Sequence, residues 1–199
     1  MKRKDIQSKT MPRQGGLISH AVGWALLKLF GWSIVGTLPD ERKLMVIVAP
    51  HTSNWDYIIA MAAKFYMGLR VRYLMKSEIN KWPFRSLLKW TGGVPVYRSE
   101  KTDILEQTID WINTEGNVWL GMSPEGTRSK IDKWKTGFLR IAHGANIPIL
   151  IVGIHGPDKT IIIDRLVQLD KLQGDLGAQA KYLQGYCAGR FVGIKPENQ

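Results

Sequence analysis

Sulfur chemistry is nearly absent from this chain of 199 residues: it has one cysteine, Cys187. A lone cysteine excludes an intramolecular disulfide framework and a thiolate zinc site, and it fits a reducing compartment. Acidic residues are also scarce, 17 Asp and Glu against 28 Lys and Arg, which leaves a net charge of +11 and a pI near 9.8. A surface of that sign seeks an anionic partner such as nucleic acid, an anionic bilayer, or an acidic carrier or substrate. No uninterrupted apolar run reaches the roughly 20 residues that a membrane-spanning helix needs. Internal repeats, low-complexity blocks and a linker long enough to separate domains are missing too. With 44% hydrophobic and 23% charged residues, the chain has the composition and length of one folded domain.

Tryptophan, by contrast, is plentiful at eight residues. Several stand beside Lys or Arg, a pairing that suits a membrane–water interface as well as a core. Residues 1–16 read as a basic arm, in which Lys2, Arg3, Lys4, Lys9 and Arg13 face only Asp5. Residues 17–36 carry Leu17, Ile18, Val22, Trp24, Leu26, Leu27, Leu29, Phe30 and Trp32, interrupted by His20 and Lys28. The expectation here is an amphipathic helix lying in a membrane interface, with Lys28 reaching the headgroups; packing against the domain is the alternative. No small-residue cleavage site follows it, so it does not read as a signal peptide.

Residues 37–199 are expected to form a single α/β domain, with a mainly parallel or mixed central sheet flanked by helices. Strand-length apolar runs (44–49, 71–75, 94–97, 117–122, 147–154, 160–166) alternate with helix-like segments (57–67, 81–90, 102–114, 138–145, 176–188). Polar chemistry gathers at successive strand ends: His51 and Asp56, Lys76, Arg98, then Glu125 and Arg128. In a parallel sheet these ends share the edge where ligands bind. An Asp hydrogen-bonded to one imidazole nitrogen leaves the other free to accept a proton, the arrangement of a general base for a hydroxyl. Arginine holds phosphate in bidentate fashion and lysine as a point charge. The turn Pro124-Glu125-Gly126-Thr127 would turn backbone N–H groups toward an anion, unless it is an ordinary Pro-x-Gly turn. Gly121-Met122-Ser123-Pro124-Glu125 departs from a nucleophile elbow at its last position, and His143 and His155 have no ligand cluster near them in sequence, so no metal site is expected.

Four blocks, His51-Thr52-Ser53-Asn54-Trp55-Asp56, Gly93-Val94-Pro95-Val96-Tyr97-Arg98, Pro124-Glu125-Gly126-Thr127-Arg128-Ser129 and Ile147-Pro148-Ile149, occur in the order that resembles the glycerolipid acyltransferases, the lysophosphatidic acid acyltransferases among them. The resemblance implies that His51 is the base and Asp56 its orienter. It further implies that Lys76, Arg98, Glu125, Gly126, Thr127 and Arg128 shape an acceptor site, with the phosphate on the arginines. The co-substrate implied is acyl-CoA or acyl carrier protein, with no further cofactor, and the acceptor the hydroxyl of a lysophosphatidic acid-like lysophospholipid at the cytoplasmic face of an anionic membrane. Another acceptor, such as glycerol 3-phosphate, another lysophospholipid or an amino-lipid, and a catalytically inactive membrane lipid-binding protein are the alternatives. Nucleic acid is not an expected partner, because no recognisable module for it is present.

Overall fold

The computed structural model describes residues 10–77, 82–83, 85–96 and 103–199, with Lys76 described by its backbone alone. The chain begins with helix α1 (Leu17–Phe30) and strand β1 (Ser33–Gly36), followed by β2 (Lys43–Ala49), α2 (Asn54–Met67) and β3 (Val71–Lys76). Next come α3 (Arg85–Trp90), β4 (Gly93–Val96), α4 (Ile104–Thr114), β5 (Val118–Met122) and α5 (Gly137–Gly144). Strands β6 (Ile149–His155) and β7 (Thr160–Val167) and helix α6 (Leu176–Ala188) complete the set, with short 3-10 turns at Leu169–Lys171 and Pro196–Asn198.

The seven strands make one mixed sheet in the order β1-β7-β6-β2-β5-β3-β4. All neighbours are parallel except β6 and β7. Side chains alternate across each strand, so β2 buries Met45, Ile47 and Ala49 on one face and Leu44 and Val46 on the other. The first face packs against Phe138, Leu139, Ile141, Leu183 and Cys187 of α5 and α6. The second packs against Ile59, Ala62, Ala63 and Met67 of α2 and Leu27 of α1. The result is a helix–sheet–helix sandwich with β2 at its centre.

One boundary differs from expectation. The helix expected over 17–36 stops at Phe30, because Gly31 adopts φ 71° and its N–H closes the last turn on Leu27 and Lys28 carbonyls. Residues Ser33–Gly36 then pair in parallel with β7 as an edge strand. Helix α1 packs on α2 at Gly23, where a Cβ would stand 2.5 Å from the Ala62 carbonyl oxygen. Its other side leaves Leu17, Ile18, Val22, Trp24 and Leu29 exposed. Most of the arm expected at 1–16, its first nine residues, lies outside the described residues. No helix among the described residues is long and apolar enough to cross a membrane.

Candidate active site

Strand β2 delivers the chain to the sheet edge, and a cis Ala49–Pro50 bond leads into His51. Helix α2 begins immediately afterwards. Ser53 is its N-cap, accepting from Trp55 N–H, and Asp56 completes a capping box from the third helical position. Asp56 therefore has two duties. Its buried Oδ2 accepts from Thr52 N–H (2.6 Å) and Ser53 N–H (2.7 Å), and also from His51 Nδ1–H (3.1 Å). A helix start that needs a carboxylate at this place thus holds that carboxylate under the imidazole. With Nδ1–H engaged, Nε2 is left to accept a proton.

Glu125 reaches the same turn from β5. Its Oε2 accepts from His51 N–H at 2.6 Å and from the Ser123 hydroxyl at 3.3 Å. Burial pushes its carboxyl above the ordinary range, and those two hydrogen bonds pull in the opposite direction. The side chain expected at an acceptor is thus turned to the backbone of the histidine.

In the same block Gly126, Arg128 and Ser129 are exposed. Gly126 has φ 65°, but its N–H donates to Ser123 O at 3.2 Å, so it is a turn donor rather than a free anion ligand. Thr127 Oγ1 accepts from Ser129 N–H at 3.3 Å. Arg128 is exposed and makes no ion pair among the described residues. Lys135, which sequence reasoning missed, lays its stem over Gly126: a Cβ added there would stand 2.9 Å from Lys135 Nζ. Lys135 N–H is fixed on Pro124 O at 3.0 Å. The only cue in sequence was its place in a cation-rich loop with Arg128, Lys130 and Lys133. Lys76 closes β3 by its backbone, and Arg98 lies outside the described residues.

Between α2 and the sheet runs a cavity of about 230 Å³, lined almost wholly by apolar side chains such as Val46, Val48, Met61, Trp119, Leu150 and Ile163. It reaches His51, Asp56 and Ser123 at the sheet edge. Lys64 of α2 also lines it, although the residue is 3% exposed. Its ammonium donates to Thr91 O, and burial lowers its pKa to about 8.

Among the described residues no cluster of His, Cys, Asp and Glu could hold a metal ion. His143 Nε2 meets Gln179 Oε1 at 2.8 Å, and His155 Nδ1 accepts from Val192 N–H at 3.2 Å, so each has a local partner. Burial pushes the Cys187 thiol up to about 12, which keeps it protonated and unreactive at neutral pH.

The sequence profile of the Acyltransferase family matches residues 36–155, the stretch from the end of β1 to the end of β6. The chain belongs to the acyltransferase family. It is similar to the 1-acyl-sn-glycerol-3-phosphate acyltransferase of Escherichia coli (strain K12), 27% identical over 165 residues that cover 78% of this chain and 65% of that one. It is also similar to the 1-acyl-sn-glycerol-3-phosphate acyltransferase of Limnanthes alba, 25% identical over 72% of this chain and 53% of that one. The chain therefore spans 65% and 53% of the lengths of these two relatives. The crystal structure of the 1-acyl-sn-glycerophosphate acyltransferase PlsC from Thermotoga maritima shares the fold, with a TM-score of 0.63 at 19% identity, covering 86% of this chain and 76% of that one.

Proposed function

We propose that this acyltransferase moves a fatty acyl group from a thioester, acyl-CoA or acyl carrier protein, to the hydroxyl of a lysophosphatidic acid-like acceptor. The observation that carries the reading is the His51–Asp56 pair, 3.1 Å apart, at the edge of an apolar cavity. His51 Nε2 takes the proton of the acceptor hydroxyl as the oxygen attacks the thioester carbonyl. Asp56 stabilises the imidazolium that results. The tetrahedral intermediate collapses with loss of the C–S bond, and the imidazolium returns its proton to the departing thiolate. No covalent acyl-enzyme is required, and no cofactor beyond the thioester. A base so placed contributes roughly 10²–10⁴-fold in rate.

The cavity supplies what an acyl chain needs, apolar walls beginning beside the base. Arg128 and Lys135 suit the acceptor phosphate, and the family resemblance adds Lys76 and Arg98 as proposed contributors. The names of the relatives support this choice of acceptor. Membrane contact is assigned to the exposed apolar side of α1 together with α3. Phe30 packs edge-on against Trp55 and Phe65 meets Trp90, which ties α1 and α3 to α2, and Ile18 (82%), Leu29 (76%) and Trp90 (48%) are exposed on α1 and α3. Lys28, 5.3 Å above the Trp24 ring, and Lys89 supply charge for an anionic bilayer at the cytoplasmic side.

The test is free-thiol release from acyl-CoA, then from acyl carrier protein, against a panel of hydroxyl acceptors in detergent or vesicles. Release that requires lysophosphatidic acid and disappears in His51→Ala is the expected result. Release with a different acceptor moves the substrate and keeps the chemistry. No release with any thioester in a folded, vesicle-bound sample overturns the reading in favour of lipid binding without catalysis.

A further inference from the structure

We propose that the segment Phe191–Gln199 is a clamp that positions His51, acting through Thr52. It lies beyond the 36–155 stretch that carries the family likeness, and among the described residues the imidazole pairs with Asp56 rather than with any residue of this segment. Thr52 is 2% exposed although it sits between His51 and the helix start. Both of its free polar atoms are taken by this distant segment. Its carbonyl accepts from Asn198 Nδ2 at 3.0 Å, and its Oγ1 accepts from Lys195 N–H at 3.1 Å. A Cβ on Gly193 would stand 2.5 Å from Thr52 Cγ2, so the segment lies directly against the side chain.

The clamp is itself braced. Gln199 Oε1 accepts from Gly193 N–H and Gln199 Nε2 donates to Phe191 O, both at 2.8 Å, which folds the segment into a closed loop. Gly156 N–H donates to Val192 O at 2.8 Å, tying that loop to the turn after β6. Three anchors therefore hold the turn at His51: Asp56 beneath, Glu125 from β5, and Asn198 with Lys195 from the closing segment. The first two fix N–H groups. Only the third fixes the Thr52 carbonyl and hydroxyl, and so the carbonyl side of the Thr52–Ser53 peptide and the side chain of the residue that follows His51. Displacement of a base by a fraction of an ångström lowers turnover without weakening substrate binding.

The experiment uses the full chain with Asn198→Ala, Thr52→Val, Thr52→Ser and, as a neighbour that makes none of these contacts, Glu197→Ala. Two readouts are taken. The first is the ¹⁵N-histidine spectrum, in which the His51 Nδ1–H proton held by Asp56 exchanges with water. The second is kcat and KM for thioester transfer, normalised to folded protein, and this arm rests on the acyl-transfer reading above. Asn198→Ala and Thr52→Val are expected to hasten Nδ1–H exchange and to lower kcat about tenfold or more, with acceptor KM within about twofold. Thr52→Ser, which keeps the hydroxyl, is expected to restore both, and Glu197→Ala to match wild type. Wild-type exchange and wild-type kcat in Asn198→Ala, whatever its melting temperature, overturn the clamp; that variant decides the matter if Thr52→Val does not fold. Should wild type transfer no acyl group, the acyl-transfer reading fails while the exchange readout still decides the clamp.

Discussion

Glu125 Oε2 stands 2.6 Å from the backbone nitrogen of His51, across 74 residues of sequence. The bond joins the ends of β2 and β5, adjacent parallel strands, and makes the Pro124–Ser129 turn a support for the histidine. Glu125→Ala would leave the His51 N–H without its partner, a loss of about 1–3 kcal/mol for a buried donor. Glu125→Gln keeps an acceptor oxygen and removes the buried charge. Glu125→Ala is therefore expected to lower both melting temperature and kcat, and Glu125→Gln to retain most of both. Because burial raises the folded carboxyl above its ordinary value, the folded state holds a proton that the unfolded state releases just above that value. Stability is therefore lost as pH rises through this window, and Glu125→Gln should flatten that segment of a melting-temperature profile. Equal profiles for wild type and Glu125→Gln would refute the assignment.

The His51–Asp56 relationship separates two effects that one substitution mixes. Asp56→Asn keeps the side-chain shape but removes the negative charge that three N–H donors share at Oδ2, and it puts an amide NH2 where the buried Oδ1 stood. The helix start loses a cap contribution of about 1 kcal/mol. The imidazole loses its orienter as well, so kcat should fall by roughly 10²-fold or more. His51→Ala should lose transfer without the loss of stability. Melting curves and initial rates on the two variants check this: a destabilised Asp56→Asn with wild-type kcat would show that the carboxylate serves only α2.

The cations beside the Gly126 turn predict a different kinetic signature. Arg128→Ala and Lys135→Ala remove charge from an exposed loop without touching the His51 turn, so kcat at saturating acceptor should persist. Acceptor KM should rise about tenfold for each, the scale of one charge-assisted hydrogen bond. The rise should shrink for an acceptor that carries no phosphate. A KM that does not move in Lys135→Ala would remove that residue from the phosphate site.

How far these features were legible in sequence depends on the distance over which each is determined. The apolar run Leu44–Ala49 before His51, and an Asp at helix position three, are local signals, and they located β2, α2 and the His51–Asp56 pair. The end of α1 was misjudged because Ser33–Gly36 is only an edge strand, whose pairing with Thr160–Ile163 is decided by the far end of the chain. The antiparallel β6–β7 pair was readable in principle: Gly156–Lys159 is four residues, too short for the crossover of about a dozen that parallel strands need. Glu125 on His51 N–H and Asn198 on the Thr52 carbonyl were not readable, since residues 74 and 146 positions apart meet only after the sheet is assembled. Lys64 was hidden for another reason. A lysine at the end of an apolar helix pattern reads as a solvated residue, and only the folded structure places it under Thr91.

That buried lysine gives the sharpest dependence on pH. Lys64 is 3% exposed, no carboxylate among the described residues pairs with it, and its pKa falls from 10.5 to about 8. Below pH 8 both folded and unfolded chains carry the charge, and the folded state bears the full desolvation cost. Between about 8 and 10.5 the unfolded chain binds a proton that the folded chain does not, so this group makes the protein more stable as pH rises through the window. The full swing is on the order of 3 kcal/mol. Other lysines and the tyrosines titrate in the same range, so the quantity to measure is the difference in melting temperature between wild type and Lys64→Met. Methionine keeps the stem in the cavity wall and loses both the charge and the bond to Thr91, a cost that does not vary with pH. Relative to Lys64→Met, wild type should therefore gain steadily from pH 7.5 to 10, at about 2–4 °C per kcal/mol for a chain of this size. A constant difference across that range would mean that Lys64 is solvated in the folded protein and that the cavity beside it is wet.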